Sequence, residues 1–492
     1  MTGQILSIDV GTTSMRGILY DEAGQPLATE SVATPLVKHG DFIEQSAETF
    51  DDALLQIIRS LTKHAQPAAL VLTAFRSAPA LVDRDGKALT NFIMWQDTRN
   101  RAICERLLAQ NDAVFQKTGA GINAVFTASK ITWFKEETPA LFEKAHKALI
   151  VPDYLMCRMT GEFHTDYTYG SRTSLMHIKD CAWDSELCAL FSLPEDILAD
   201  LIPQGSVYGH VLPSFAKESG LPEGIPVITA GGDQQCGALG LGALDASSLV
   251  INCGTGSFVI GQCDEPLLTS PAMICNVAAV RGKYILESNI LSSAAALDWF
   301  LRELLPDLRC DGCPDLAAFN ALAASVPPGA CGVRCVPMFQ GCGTRDWNPA
   351  ARASFTSLNL THTRAHLARA LLEGIAAEIT KSIRALPASL SSAPVASLGG
   401  GMTKSDLFAQ ILADMSGKEL VRYDDGEATA LGAFLSAAVT CGWYPDEKSA
   451  FAAVRGNAPH KRFTPDAANR ALYDALLTET EEVYHALPGG TG

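Results

Sequence analysis

The sequence has no apolar run approaching the ~20 residues that a helix needs to span a bilayer. Its first residues, MTGQILSIDVG, also lack the basic stretch and the long apolar segment of an export signal. These two absences predict a cytoplasmic protein that has no membrane partner.

Positive charge is scarce as well. Asp and Glu number 54 against 38 Lys and Arg, so the formal net charge is −16. Because nucleic acids are bound largely by cationic side chains that neutralise phosphates, this balance argues against a nucleic-acid partner. A local basic pocket for a phosphorylated small molecule is still compatible with it.

Nothing in the composition indicates disorder, since 47% of the residues are hydrophobic and 19% are charged. The 492 residues exceed the length that one hydrophobic core usually reaches, which is about 250 to 300 residues. We therefore predict two domains with a cleft between them, and the cleft is the natural place for chemistry.

The 14 cysteines are scattered along the chain, so we interpret most of them as reduced core residues. One cluster starts with zinc-like spacing, which its later members do not repeat. Zinc binding and free thiols near a loop are the two alternatives for this cluster, and free thiols are the simpler one. Its members are Cys310, Cys313, Cys331, Cys335 and Cys342.

A short pattern occurs twice, about half a chain apart. Residues 8–14 are IDVGTTS and residues 251–257 are INCGTGS, and strand-like residues flank both segments. An internal duplication of a whole domain would leave this spacing. We therefore place one domain at residues 1–245 and a second at residues 246–487.

Helical patterns, with apolar residues three or four positions apart, alternate with the strand-like segments. This alternation predicts layered α/β domains. The predicted helices cover residues 49–62, 127–137, 364–385, 404–417 and 465–487.

The two Gly-Thr-rich turns present backbone N–H groups and hydroxyl donors, so each is suited to hold a polyanion. A single turn of this kind is more often only a tight turn, but a pair can grip a nucleotide from both sides. Asp9 precedes the first turn and is suited to organise Mg²⁺ through its water shell, or alternatively to stabilise the turn. Asn252 takes its place before the second turn, without the charge.

A third glycine cluster, Gly399, Gly400 and Gly401, follows an apolar strand and precedes the helix predicted to start near Lys404. Consecutive glycines let a bulky ligand approach the backbone, and a helix N-terminus favours anions. We expect the nucleoside part of ATP at this position.

Taken together, the motifs resemble those of the FGGY carbohydrate kinases, a family of the actin, hexokinase and Hsp70 ATPase superfamily. The resemblance covers nearly the whole chain and depends on the order and spacing of the motifs. They are residues 9–14 (DVGTTS), 95–99 (WQDTR), 165–167 (TDY), 232–234 (GDQ), 254–257 (GTGS), 399–401 (GGG) and 427–432 (EATALG).

The resemblance implies an α/β fold of two ribonuclease-H-like, actin-like ATPase domains, with ATP mainly on the second domain and sugar mainly on the first. It implies ATP and Mg²⁺ as cofactors, with Asp9 at the metal. Asp233 is implied as the base that accepts the proton of the attacking hydroxyl, and a capping role in its glycine-rich loop is the alternative. The residues implied to bind ATP are Gly11, Thr12, Thr13, Ser14, Arg16, Gly254, Thr255, Asp298, Gly399, Gly400, Gly401 and Lys404.

The acceptor site departs from both of the best-known patterns of the family. Where glycerol kinases carry Gln-Arg-Glu, the predicted strand over residues 70–83 has Phe-Arg-Ser, and the Gln-Met-His-Gly of xylulokinases is also absent. The tryptophan is kept, whereas the tyrosine of glycerol kinases is replaced by Val125. The acceptor residues implied by the resemblance are Arg76, Ser77, Trp95, Asp233 and Gln234.

Because Ser77 is shorter than glutamate and uncharged, we expect an acceptor larger than glycerol. A ketopentose such as xylulose, phosphorylated at a terminal hydroxyl, is the leading hypothesis. Glycerol is the alternative acceptor, and a catalytically silent sensor of sugar or nucleotide is the alternative class of function. The oligomeric state stays open, with a homodimer among the options.

Overall fold

A computed structural model describes most of the chain. Short gaps separate the described segments, and the last five residues lie outside them. The described residues are 3–40, 42–270, 272–310, 313–344, 346–424, 426–456 and 458–487.

The first half alternates strands and helices. Its strands are β1 (Ile5–Val10), β2 (Ser14–Tyr20), β3 (Pro26–Ala33), β4 (Val37–His39), β5 (Phe42–Gln45), β6 (Ala69–Ala74), β7 (Pro79–Val82), β8 (Phe92–Ile93), β9 (Lys147–Ile150), β10 (His164–Asp166), β11 (Met176–His177), β12 (Ala182–Trp183), β13 (Asp200–Ile202), β14 (Ser206–His210) and β15 (Pro226–Gly232). Its helices are α1 (Ala47–Leu61), α2 (Arg101–Leu107), α3 (Asn111–Thr118), α4 (Thr127–Glu137), α5 (Pro139–Phe142), α6 (Val151–Thr160), α7 (Tyr167–Gly170), α8 (Ser185–Leu190), α9 (Pro213–Ser219) and α10 (Asp233–Gly240).

The second half has the same mixed character. Its strands are β16 (Leu249–Cys253), β17 (Ser257–Cys263), β18 (Ile274–Val277), β19 (Tyr284–Ile290), β20 (Arg309–Cys310), β21 (Cys313–Pro314), β22 (Arg334–Val336), β23 (Ser354–Thr356), β24 (Val395–Gly399), β25 (Glu419–Tyr423) and β26 (His460–Phe463). Its helices are α11 (Ala294–Glu303), α12 (Leu316–Ala324), α13 (Arg364–Ala385), α14 (Ala388–Ser391), α15 (Asp406–Ser416), α16 (Ala428–Thr440), α17 (Glu447–Arg455) and α18 (Arg470–Ala486). Single 3₁₀ turns cover Leu108–Gln110, Glu195–Ile197, Pro306–Leu308, Ala330–Gly332, Gly401–Lys404 and Ala467–Asn469.

Each half is built on one large sheet. The six-stranded sheet has the order β14-β15-β6-β1-β2-β3, and the seven-stranded sheet has the order β18-β19-β17-β16-β24-β25-β26. The central strands β1 and β6 are almost continuously apolar because both of their faces are buried. The sheets confirm the predicted two-part α/β fold, and the boundary at residues 245 and 246 stays a prediction.

The two sheets repeat one local plan. β1 pairs antiparallel with β2 and parallel with β6, and β16 pairs antiparallel with β17 and parallel with β24. The two Gly-Thr-rich turns therefore occupy equivalent positions, each between the first two strands of its sheet.

Two of the five predicted helices have the predicted bounds. α4 and α13 begin and end at the predicted residues, α1 begins two residues earlier than predicted, after its capping residue Ser46, and two later helices start further along the chain. α15 begins after Ser405, whose Oγ accepts a hydrogen bond from the N–H of Phe408 at 3.2 Å. α18 begins after a 3₁₀ turn that is capped by Asp466. No described helix has both the length and the apolar composition that crossing a membrane requires.

Two helices connect the halves, because each packs against residues of the other half. α10 follows β15, yet its Ala238, and Leu241 directly after the helix, join a buried cluster with Val250 and Ile260 of the second sheet. In the other direction, α16 follows β25 and packs its buried apolar residues against β1, β6 and β15 of the first sheet. Each half therefore contributes a helix to the core of the other.

α10 and α16 approach each other through two glycines. A Cβ on Gly240 would overlap the carbonyl oxygen of Ala428, and a Cβ on Gly432 would overlap that of Cys236. Both obstacles are backbone atoms, so no side-chain rotation could relieve the overlap. The crossing therefore requires glycine on each helix.

We predict that Gly432→Ala lowers the free energy of unfolding by about 1 to 3 kcal/mol or more, because the added methyl forces the two backbones apart. Gly237→Ala is the matched control on α10, since its Cβ would meet only the Thr429 hydroxyl at 3.3 Å. It should change stability by no more than about 1 kcal/mol, within the range of helix propensities. Denaturant unfolding of both variants measures the difference, and equal midpoints would contradict the requirement.

Candidate active site

Parallel strands bring three predicted site residues to one edge of the first sheet. β1, β6 and β15 run parallel, so their carboxyl ends lie together. Asp9 lies near the end of β1, Arg76 follows β6, and Asp233 is the first residue of α10 directly after β15. Residues more than 200 positions apart therefore lie together at one edge of the sheet.

The carboxylates at this edge repel one another. Burial, together with the charges of Asp233 and Glu427, raises the pKa of Asp9 to about 7, although Arg16 lowers it. Burial also raises the pKa of Asp233, while Arg76 opposes that shift. Concentrated negative charge of this kind is typical of sites that bind cations or transfer protons.

Arg16 is already paired before any ligand binds. It lies opposite Asp9 in the β1–β2 register, and its guanidinium forms an ion pair with Glu427, the residue that precedes α16. This ion pair joins the first sheet to a helix of the second half. The sequence motif at residues 427–432 gave no indication of the pairing, because the partners are 411 positions apart.

Arg76 lies between two carboxylates. Its Nε is 3.7 Å from Asp233 Oδ1, and its Nη1 is 3.2 Å from Glu287 Oε2 and 3.2 Å from Gln235 Oε1. Although burial lowers it, these carboxylates hold the pKa of Arg76 above its ordinary value. Arg76 is therefore a permanently charged group that faces the candidate base.

Ser77 lies in a tight break in the chain. The predicted strand over residues 70–83 is wrong here, because β6 and β7 are separate strands that belong to different sheets. Between them Ser77 takes a left-handed conformation with φ of 66°, and its hydroxyl donates to the carbonyl oxygen of Arg172 at 3.3 Å. Lys130 Nζ donates to the Ser77 carbonyl at 3.0 Å. This buried segment is fixed before any acceptor binds.

Of the predicted acceptor residues, Trp95 is exposed and Gln234 is partly exposed. Trp95 Nε1 donates to Thr12 Oγ1 at 3.0 Å, and the residue is 37% exposed, which leaves ring surface for a ligand. The N–H of Gln234 donates to Asp233 Oδ1 at 2.8 Å and so supports the carboxylate. Gln234 Oε1 is buried and has no hydrogen-bond partner among the described residues.

Three buried polar residues next to Arg76 were not predicted from the sequence. Asn276 Nδ2 donates to Glu287 Oε2 at 2.7 Å, and Arg172 Nη1 donates to Asn276 Oδ1 at 3.3 Å. Glu287 directly follows the apolar residues Ile285 and Leu286 in a strand-like segment, which is the signal that could have found it. A glutamate is almost never fully buried unless it is paired.

A cleft of about 660 Å³ opens on the second half. Two of its lining residues, Thr255 and Asp298, are among the predicted ATP-binding residues. Asp298 is paired with Arg302 at 3.3 Å and with Arg309 at 3.1 Å. The other lining residues are Ser292, Ala294, Ala295, Trp299, Arg302, Phe339 and Gln340.

The second Gly-Thr-rich turn is attached to the start of α11. The backbone N–H groups of Ser293 and Ala295 donate to the carbonyl oxygen of Thr255, and that of Ala294 donates to the carbonyl oxygen of Gly254. These bonds fix the turn at the mouth of the cleft. The Thr255 side chain remains exposed.

The third glycine cluster packs against the second turn. Gly400 has φ of 88°, and a Cβ there would overlap the carbonyl oxygen of Cys253, so only glycine allows this approach. Gly401 has open space around it, and Lys404 is exposed. None of Gly399, Gly400, Gly401 and Lys404 is among the residues that line the 660 Å³ cleft, so their role in ATP binding stays a prediction.

The cysteine cluster shows no metal-like grouping in the described part of the chain. No set of three His, Cys, Asp or Glu residues is placed to hold a metal ion there. Cys313 and Cys331 are exposed, Cys335 and Cys342 are buried, and none of these four forms a disulfide among the described residues. The side chain of Cys310 lies outside the described structure.

The raised pKa of Asp9 predicts a pH-dependent stability. Because the folded-state pKa of about 7 exceeds the ordinary 3.8, ionising Asp9 as the pH rises through 7 destabilises the fold. Asp9→Asn should therefore raise the free energy of unfolding at pH 8 by about 1 to 3 kcal/mol, and by less at pH 4.5. Denaturant unfolding of the nucleotide-free protein tests this, with the exposed Asp200→Asn as control. A variant less stable than wild type at pH 8 would contradict it.

Comparison with known proteins covers nearly the whole chain. The profile of the N-terminal domain of the FGGY family of carbohydrate kinases matches residues 4–240, and that of the C-terminal domain matches residues 249–441.

Glycerol kinase of Thermococcus kodakarensis is 32% identical over 458 residues, which are 90% of each chain. Xylulose kinase of Bacillus subtilis is 28% identical over 493 residues, which are 98% of this chain and 96% of the relative. The crystal structure of ligand-bound xylulose kinase from Lactobacillus acidophilus superposes with a TM-score of 0.91 at 24% identity and covers 98% of both chains. This chain therefore belongs to the FGGY family of carbohydrate kinases, enzymes that transfer a phosphoryl group to an alcohol.

Proposed function

We propose that this enzyme transfers the γ-phosphoryl group of ATP to a terminal hydroxyl of a short sugar or polyol, with a ketopentose such as xylulose as the preferred acceptor. The observation that carries the proposal is the position of Asp233. It lies at the sheet edge, 3.7 Å from Arg76 Nε and near enough to Asp9 to raise the pKa of that carboxyl, so one carboxylate can face both an acceptor and the phosphates.

In this proposal Asp233 is the general base. A hydroxyl is a weak nucleophile, and a carboxylate within hydrogen-bond reach accepts its proton as the phosphoryl group is transferred. Burial raises the pKa of Asp233, which makes it a stronger base than an aspartate in water, and Arg76 opposes that shift by favouring the ionised form. The alternative capping role is compatible with the same position at the start of α10.

The residues around Asp9 fit Mg²⁺. The donor set consists of carboxylate oxygens, which Mg²⁺ prefers, and the mutual repulsion that raises the pKa of Asp9 is what a cation would relieve. Asp9 would hold the ion through its water shell. When bound, Mg²⁺ supplies positive charge that neutralises the phosphate oxygens.

ATP is proposed to bind between the two Gly-Thr-rich turns, with its nucleoside part at the third glycine cluster, as the sequence predicts, and with the 660 Å³ cleft beside the second turn. Thr13, Ser14 and Thr255 expose backbone or hydroxyl donors at the two turns, and Trp299 and Phe339 supply aromatic surface in the cleft. Arg16 can pair with phosphate once it leaves Glu427. The acidic net charge of the protein makes these local donors the main attraction for the polyphosphate.

The acceptor is proposed to lie between Trp95 and Arg76. The exposed face of Trp95 can cover the carbon chain, while Arg76 and Gln234 contact the hydroxyl groups. Because Ser77 is shorter than the glutamate of glycerol kinases and uncharged, we expect room for an acceptor larger than glycerol. Glycerol is the second candidate acceptor, favoured by the 32% identity to a glycerol kinase.

The α10–α16 crossing is proposed to act as the hinge on which the halves close. Closure expels water, which would otherwise compete with the acceptor for the phosphoryl group. It also brings the first turn, on the first sheet, toward the second turn on the other sheet.

A panel of acceptors tests the proposed function. The enzyme is assayed for ADP release with glycerol, xylulose, ribulose, xylitol, fructose and gluconate, and the product is analysed for the position of its phosphate. We expect the highest kcat/KM for a ketopentose, with the phosphate on a terminal carbon. A preference for glycerol over every pentulose, pentitol and hexulose would contradict the argument from Ser77. ATP binding without turnover of any acceptor would favour the sensor.

Asp233→Asn is predicted to lower kcat by about 100- to 10,000-fold, because the amide keeps the shape of the side chain but cannot accept the proton. ATP affinity measured by calorimetry should stay within about twofold of wild type, which separates lost chemistry from lost folding. A variant that retains more than a tenth of the wild-type kcat would remove Asp233 from the role of base.

A further inference from the structure

The guanidinium of Arg76 is held from both halves of the molecule. Asp233, from the first half, lies 3.7 Å from Arg76 Nε, and Glu287, from β19 of the second half, lies 3.2 Å from Nη1. The two carboxylates therefore share one cation across the boundary between the sheets.

Glu287 is buried in a way that demands explanation. Its side chain is 0% exposed, and Oε2 accepts hydrogen bonds from both Arg76 and Asn276. Oε1 is buried without a hydrogen-bond partner among the described residues. A buried carboxylate with an unsatisfied oxygen costs stability.

The geometry shows what Glu287 prevents. Arg76 Nε is 3.7 Å from Asp233 Oδ1, which is beyond a normal hydrogen bond. Without the charge of Glu287, only the neutral Gln235 Oε1, which is 3.2 Å from Nη1, would hold the guanidinium back from a direct, charge-assisted contact with Asp233. Such a contact would lower the basicity of the carboxylate that has to accept the proton of the acceptor.

We propose that Glu287 is a positioning residue, which holds Arg76 toward the acceptor and away from a direct bond with Asp233. Because Glu287 belongs to the seven-stranded sheet, the acceptor site on the first half is complete only when the second half is docked against it. The proposal depends on the assignment of Arg76 and Asp233 to the acceptor site under the proposed function.

A double-mutant cycle tests the proposal. Glu287→Gln, Arg76→Ala and the double variant are compared with wild type, using the acceptor that wild type phosphorylates fastest in the panel. Glu287→Gln keeps the shape of the side chain and removes its charge. We expect it to raise the KM for the acceptor at least tenfold and to lower kcat, while the KM for ATP stays within twofold.

The double variant gives the sharper result. If Glu287 acts through Arg76, removing it adds nothing once Arg76 is gone, so the double variant should match Arg76→Ala within about twofold in kcat/KM. If the effects of the two single variants multiply in the double variant, Glu287 does not act through Arg76 and the proposal is wrong.

Glu373→Gln is the matched control. Glu373 is also a buried glutamate of the second half, and its Oε1 accepts a hydrogen bond from Arg369 Nε at 2.7 Å. It lies in α13 and takes no part in the proposed acceptor site. The control should lower the melting temperature and leave both KM values within twofold of wild type.

The outcomes separate this inference from the proposed function. Glu287→Gln that lowers the melting temperature as Glu373→Gln does, but leaves the KM for the acceptor unchanged, would show a merely structural glutamate and overturn the inference. Arg76→Ala with an unchanged KM for the acceptor would instead overturn the placement of the acceptor at Arg76, and with it the proposed function of this site.

Discussion

The close crossing of α10 and α16 is the constraint on which the rest of the structure depends. Each helix covers part of the other half, so the two sheets share cores that neither could complete alone. Gly240 and Gly432 let the two backbones meet without side chains between them. Small residues at such a contact shorten the distance between helix axes, and here they fix the distance between the two halves.

The crossing also carries site residues at its ends. Asp233 begins α10 and Glu427 directly precedes α16, so a shift of either helix moves a charged group of the cleft. The ion pair between Arg16 and Glu427 adds a second link, from the first sheet to the start of α16. The positions of α10 and α16 are therefore coupled to the positions of the charged residues in the site.

The charges of the site are arranged at a cost to stability. Asp9 has a pKa of about 7 because burial and two neighbouring carboxylates oppose its ionisation, and Arg76 is buried between Asp233 and Glu287. Arrangements of this kind persist where function needs them, since an apolar replacement would pack at lower cost. The Mg²⁺ that we propose at Asp9 would relieve this repulsion and would supply positive charge next to the phosphates.

The repeated strand-turn-strand pattern, the α/β class and the family could all be predicted from local sequence patterns. These follow from local patterns: IDVGTTS and INCGTGS predict the turns, and α4 and α13 follow from apolar periodicity alone. Helix starts at Asp406 and Arg470 were displaced because caps at Ser405 and Asp466 outweigh periodicity. Asp9, Arg76 and Asp233 could be singled out by motif, but not their mutual distances.

Which charged residues pair with one another could be seen only in the tertiary structure. The pairing of Arg76 with Glu287 and of Arg16 with Glu427 joins residues 211 and 411 positions apart, and no local pattern specifies such partners. The packing of α10 and α16 between the two sheets could not be predicted from the sequence either. An apolar helix face shows that the helix is buried, but not which surface it packs against. Local backbone preferences act over a few residues, whereas the site is assembled by the packing of two sheets against two shared helices.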